Sequence, residues 1–172
     1  VEDPNFHDLV DFDEVRLGDT STMTMRVSNT GEAPLTVSHM NLGAQTSGEF
    51  SFFPEALPEI EQGEFKDIEL SYSPRIFPGP DDGTFVIDSN DADPEFQHLI
   101  FRLRGVGIDP KINVQPRTRP NDPYDFGEVL KASCSAPETF EITNIGSGLL
   151  EIMSVQIAFG DQENFTIANF SQ

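Results

Sequence analysis

The chain has 172 residues, 37% of them apolar with fifteen Phe among them, which is enough to build real cores and excludes disorder of the whole. Thirty acidic against ten basic residues give a net charge of −20, which repels nucleic acid and anionic membrane and suits a solvated surface or a saline, calcium-containing medium. One cysteine, Cys134, excludes an intrachain disulfide and a Cys-based zinc cluster, and no apolar run approaches the roughly 18 residues that span a bilayer.

In chain order, period-two patterning predicts strands at residues 9–15, 20–28, 34–42, 49–53, 64–72, 83–88 and 95–104. Met23, Met25 and Val27 share one face of the second strand, and Ile68, Leu70 and Tyr72 one face of the fifth. Asn29-Thr30-Gly31 lies between two alternating runs and reads as a hairpin turn. Pro54, Pro58, Pro74, Pro78 and Pro80 fall in the expected connections, where a missing N–H costs a sheet nothing. Leu99, Phe101 and Leu103 alternate with His98, Ile100, Arg102 and Arg104, which gives the seventh strand a core face and a wetter face. Phe12, Met25, Val27, Leu35, Val37, Ile68, Leu70, Phe85, Ile87, Leu99, Phe101 and Leu103 are the expected core. Phe52 and Phe53 are adjacent in a strand and must point oppositely, so one of them is a candidate contact residue.

Residues 105–110, Gly-Val-Gly-Ile-Asp-Pro, read as a short linker, and alternation resumes at Lys111-Ile112-Asn113-Val114-Gln115. The motifs of the first part then recur. Asp125-Phe126-Gly127-Glu128-Val129 repeats Asp11-Phe12-Asp13-Glu14-Val15 at an offset of 114. Asn144-Ile145-Gly146, Leu150-Glu151-Ile152 and Asn164-Phe165 repeat Asn29-Thr30-Gly31, Leu35-Thr36-Val37 and Glu49-Phe50 at 115. About seven short strands per hundred residues is the count of an immunoglobulin-like sandwich. The expectation is therefore an all-β chain of tandem immunoglobulin-like β-sandwich domains, 1–107 complete and 108–172 partial.

These blocks resemble the choice-of-anchor D repeats of bacterial surface proteins and, more distantly, the Hydin-type (ASH) immunoglobulin-like domains of cilia and centrosomes. The residues that carry the resemblance are 125–129 and their variant at 11–15, the Asn-x-Gly turns with Leu-x-Val or Leu-x-Ile after them, and the block from Ile87 to Pro94 with Leu103-Arg104-Gly105-Val106-Gly107. In the first copy Asp13 replaces the usual Gly. The resemblance implies a sandwich fold and an extracellular or scaffold setting, and it brings no catalytic residues.

Catalysis needs a nucleophile beside a base, a metal cluster or two placed carboxylates, and none stands at a suitable spacing. His7, His39 and His98 are far apart, and Cys134 has no base near it in sequence. The one candidate cofactor is calcium, a hard cation that takes six to eight oxygens. Asp88, Asn90, Asp91 and Asp93 are its candidate ligands, with Asp81-Asp82-Gly83 and Asp109 nearby. The spacing matches no EF-hand loop, and Asp and Asn also serve as turn formers.

The expected function is a non-catalytic structural or protein-interaction module of a larger multi-domain protein, bacterial cell-surface or fibre-forming, extracellular rather than cytoplasmic. Its expected partners are proteins or neighbouring copies joined through sheet edges. Alternatives are a glycan- or calcium-binding accessory module of a secreted enzyme and a ciliary or cytoskeletal adaptor. By the repeat offset Gln172 corresponds to Leu57, so the second unit is expected to need further strands from its own polypeptide or from a partner. Without them Phe140, Ile142, Leu150, Ile152, Phe165 and Ile167 would face water.

Overall fold

A computed structural model describes residues 8–117, 123–157 and 162–167. Among these are nine strands: β1 (Asp8–Arg16), β2 (Ser21–Ser28), β3 (Val37–Leu42), β4 (Phe50–Phe53), β5 (Phe65–Tyr72), β6 (Gly79–Ser89), β7 (His98–Ile108), β8 (Ile112–Gln115) and β9 (Glu141–Asn144). The first seven form two sheets, β1-β7-β6-β3 and β2-β5-β4, and β8 pairs with β9 in a third. The chain is an all-β protein of the immunoglobulin-like sandwich type.

Alternation explains which side chains meet between the sheets. β5 turns Ile68, Leu70 and Tyr72 inward, and β6 and β7 present Phe85, Ile87 and Leu103. Phe12 joins this core with ring centroids 5.8 Å from Phe50 and 5.9 Å from Tyr72. Each such buried side chain contributes about 1.5–3 kcal/mol of hydrophobic stabilisation. Met25, Val27, Val37, Leu99 and Phe101 pack around it partly buried, while Leu35 stays outside the cluster and pairs with Ile60 in an isolated bridge. Val15, Phe50, Ile60 and Tyr72 are buried beyond the expected list. Ile60 lies in a connection, where no alternation marks it.

Three expectations need correction. Asn29-Thr30-Gly31 is no hairpin turn, because β2 pairs with β5 and β3 with β6, so the chain crosses here from one sheet to the other. Asn29 is selected instead for its amide, which is 5% exposed and bonds three backbone groups. Residues 105–108 are strand and not linker. A Cβ on Gly105 would lie 2.5 Å from Cε1 of Tyr72, so this glycine lets β7 pass against a ring. Pro80 lies inside β6, where residues 79–82 pair with β7 on one side only, and its missing N–H breaks no ladder.

Candidate interaction surface

The repeated Asp-Phe-x-Glu-Val block is an Asx turn, which in the first copy makes a bulge in β1. Asp11 Oδ1 accepts from the N–H of Asp13 at 3.0 Å, and Asp125 Oδ1 from that of Gly127 at 2.8 Å. The third residue is left-handed in both copies, with φ 56° at Asp13 and 72° at Gly127. Asp tolerates that region better than most residues, which is why the replacement of Gly is accepted. The bulge shifts the register of β1 against β7 between Asp11 and Glu14. It also gathers Asp11, Asp13, Glu14, Arg104 and Val106 around a shallow open hollow of about 520 Å³.

The second repeated device is an asparagine clamp. Asn29 Nδ2 donates to the carbonyls of Ala33 and Ile60, both at 2.8 Å, and its Oδ1 accepts from Gly31 at 2.9 Å. Asn144 donates to Gly148 at 2.6 Å and accepts from Gly146 at 3.0 Å, the same local pattern. Its Oδ1 also accepts from Lys111, the residue before β8, at 3.1 Å.

The sheet edges differ in how they are defended. An exposed edge offers unpaired N–H and C=O groups, and proteins blunt it with bulges, charges, brevity or proline. β1 is bulged and carries Asp11, Asp13 and Glu14; β3 has a register shift between Val37 and His39; β4 has four residues and is followed by Pro54. β2 runs in unbroken register against β5 from Ser21 to Ser28, has no proline and no acidic residue, and has no strand on its other side among the described residues. Its only charge, Arg26, makes a bidentate pair with Asp67 of β5 at 2.8 and 2.9 Å and lies 3.6 Å over the ring of Phe65. The hydrogen bond from Arg26 is the main cause that holds the Asp67 carboxyl below its usual range.

Apolar contact groups flank these edges. Phe52 packs against Phe85 with ring centroids 5.0 Å apart while Phe53 is 71% exposed, the opposition expected of neighbours in a strand. Ile76 and Phe77 are exposed in the β5–β6 connection, the backbone of Phe77 running beside Gly107, and no sequence pattern distinguished them from buried loop residues.

Of the candidate calcium ligands Asp88 stands near the end of β6 and Asn90, Asp91 and Asp93 in the turn after it, each with one side-chain oxygen in a hydrogen bond. Asp88 Oδ1 meets His98 Nδ1, and Asn90 Oδ1 accepts from Thr36. Asp91 Oδ1 accepts from Asp93, and Asp93 Oδ1 from Glu95. Among the described residues no three His, Cys, Asp or Glu side chains converge as a metal-binding group. Asp81 is apart from the turn and accepts from the Tyr72 hydroxyl at 2.7 Å. Burial, and then that hydrogen bond, hold the Tyr72 phenol far above its usual pKa. The backbone carbonyl of Asp109 accepts from Ser147 and Gly148. Cys134 is an exposed free thiol, His39 is exposed on β3, and His7 lies outside the described residues.

No curated protein sequence matches the chain significantly. Among solved structures it is similar to a PapD-like (ASH) domain of human CEP192, at 18% identity and TM-score 0.48 over 60% of this chain and 82% of that one. It is similar to the secreted serine protease VesC of Vibrio cholerae at 17% identity and TM-score 0.43, over 59% of this chain but only 22% of the protease. A class 5 fimbriae chaperone, CfaA, matches at 13% identity and TM-score 0.40, over 83% of this chain and 65% of the chaperone. The model of the HYDIN/CFA65/VesB-like Ig-like domain matches residues 5–104, more than half of the sequence and nearly all of the seven-stranded sandwich. The chain belongs to that family of immunoglobulin-like domains.

Proposed function

We propose that the chain is a non-catalytic structural and protein-interaction module of a larger, multi-domain protein, displayed at a bacterial cell surface or built into a fibre. The observation that carries this reading is the recurrence of both devices, the Asx turn and the asparagine clamp, at the 114–115 spacing. Only Asp109, Pro110 and Lys111 separate the end of β7 from β8. Repeats joined so closely place binding edges at fixed intervals along an array. Partner proteins or neighbouring copies then bind by strand addition or through Phe53, Ile76 and Phe77. The acidic surface and the single cysteine agree with an exported bacterial setting.

Two measurements test the proposal. Chemical cross-linking of intact source cells, read by mass spectrometry, is expected to join this module to protein partners on the cell exterior. Purified chain is expected to show no hydrolase, transferase or redox turnover. A turnover abolished by His98→Ala or Cys134→Ala, or an exclusively cytoplasmic location, overturns it.

A further inference from the structure

We propose that His39 of β3 and His98 of β7, with Asp88 of β6 between them, form a surface site for one divalent transition-metal ion of the zinc, copper or nickel class. The inference is independent of the interaction-module reading, and it concerns imidazole ligands, which the calcium expectation did not include. The two histidines are far apart in the sequence, and strand pairing brings them together. β6 lies between β3 and β7, with His39 opposite Asp88 on one side and His98 opposite Asp88 on the other. Alternation puts all three on one face. Met40, Ile87 and Leu99 belong to the core or pack against it, so their neighbours His39, Asp88 and His98 stand on the outer face of the sheet. The side chain of His98 is 60% exposed and that of Asp88 36%.

The row is narrow enough for one ion. Neighbouring strands lie about 4.8 Å apart, so the Cα atoms of the two histidines are separated by roughly 10 Å. Two imidazoles leaning toward each other span that gap when an ion sits between them at about 2.1 Å from each nitrogen. Asp88 prepares one of the ligands, because its Oδ1 meets Nδ1 of His98. A proton held on Nδ1 by a carboxylate leaves the lone pair on Nε2 and makes that nitrogen a better ligand, the arrangement usual behind metal-binding histidines. Asp88 is itself held from both sides, since it is paired in both ladders and its carbonyl accepts from Ser38 Oγ at 3.2 Å. His39 is exposed, and an exposed imidazole turns between staggered rotamers at small cost, which lets it meet an ion on Nε2 of His98.

The ligands are two imidazoles, with the carboxylate behind one of them, in keeping with the lack of any convergent three-ligand group among the described residues. The remaining positions of the ion face solvent. Imidazole selects the ion, since it suits zinc, copper and nickel, whereas calcium and magnesium prefer oxygen. The net charge of −20 raises the concentration of cations around the site.

The test is a calorimetric titration of zinc chloride into the full chain near neutral pH, with excess magnesium present to occupy sites made of carboxylates alone. One zinc ion per chain is expected to bind ahead of any weaker binding. His39→Ala and His98→Ala should each weaken it at least tenfold and leave the melting temperature of the zinc-free chain nearly unchanged. Asp88→Ala should weaken it about tenfold. In that variant the ring-nitrogen chemical shifts of zinc-free His98 should show its proton moving from Nδ1 toward Nε2, which a merely structural role for Asp88 would not produce. In the wild type, zinc should shift the imidazole resonances of His39 and His98 and leave those of His7 in place. Binding that survives His39→Ala or His98→Ala, a zinc shift at only one of the two imidazoles, or no zinc bound in the presence of magnesium overturns the proposal. Each of these leaves the interaction-module reading standing, which fails instead on turnover or location.

Discussion

Phe12 and Phe126 occupy the same place in a repeated motif, each beside an Asx bond and a left-handed third residue. Phe12 is 4% exposed and Phe126 39%. Their aromatic partners also correspond, since Phe12 lies 5.8 Å from Phe50 and Phe126 lies 5.7 Å from Phe165. In the first unit Leu70, Tyr72 and Leu103 complete the enclosure, whereas in the second Tyr124, Phe140 and Phe165 form a small cluster in which Phe140 and Phe165 are still exposed. Local geometry is thus set within a few residues of sequence, while burial requires strands far away in the chain.

The largest expected effect breaks this comparison directly. Phe12→Ala should cost about 3–5 kcal/mol in urea unfolding, because it leaves a cavity between the sheets. Phe126→Ala should cost about 1 kcal/mol, as most of what it loses is partial contact. Equal costs would mean that the second unit encloses its motif as fully as the first.

Gly105→Ala comes next, at about 2–3 kcal/mol, because the new methyl must displace the buried Tyr72 ring. Denaturation of the variant, with the near-ultraviolet signal of Tyr72 as a second probe, checks it. Asn29→Ala should cost about 2 kcal/mol by removing the donors to Ala33 and Ile60 and the acceptor for Gly31. Asn144→Ala, on an exposed clamp, should cost about 1 kcal/mol or less. The reciprocal exchange Asp13→Gly and Gly127→Asp should change stability by less than about 1 kcal/mol in either direction, since both residues reach the left-handed region. Substituting Val at position 13 is the control that should fail.

The smallest effect depends on pH. In the folded chain the Asp67 carboxyl is held below 3.8, first by its hydrogen bond from Arg26. A carboxyl depressed on folding contributes stability that is present above its unfolded pKa and is lost as pH falls through the folded one. Stability should therefore decline more steeply below pH 3.8 in the wild type than in Asp67→Asn. The pair is exposed, so the difference should shrink in high salt.

The strands were legible because each is half-buried and the period of two writes that fact into the sequence. Every predicted strand of the first unit overlaps an observed one, from 9–15 against β1 to 95–104 against β7. What escaped was whatever depends on a distant neighbour. Ile60 is buried under a clamp whose amide comes from residue 29, and Gly105 looked like a linker because Tyr72, which it accommodates, is more than thirty residues earlier. In the acidic turn the sequence showed that hard oxygens are dense, and the structure adds that Asn90, Asp91 and Asp93 accept there from Thr36, Asp93 and Glu95.

The sequence by itself determined the all-β class, the strand positions and the repeated motifs, since alternation and Asx turns act over two to five residues. Tertiary structure alone decided which strands share a sheet, since pairing partners stand up to about a hundred residues apart in the chain. It placed Asn29 at a crossover and not in a hairpin, and among the described residues it set β2 at the end of its sheet, in unbroken register with β5. An edge is defined by what does not lie beside it, and no local pattern of residues carries that information.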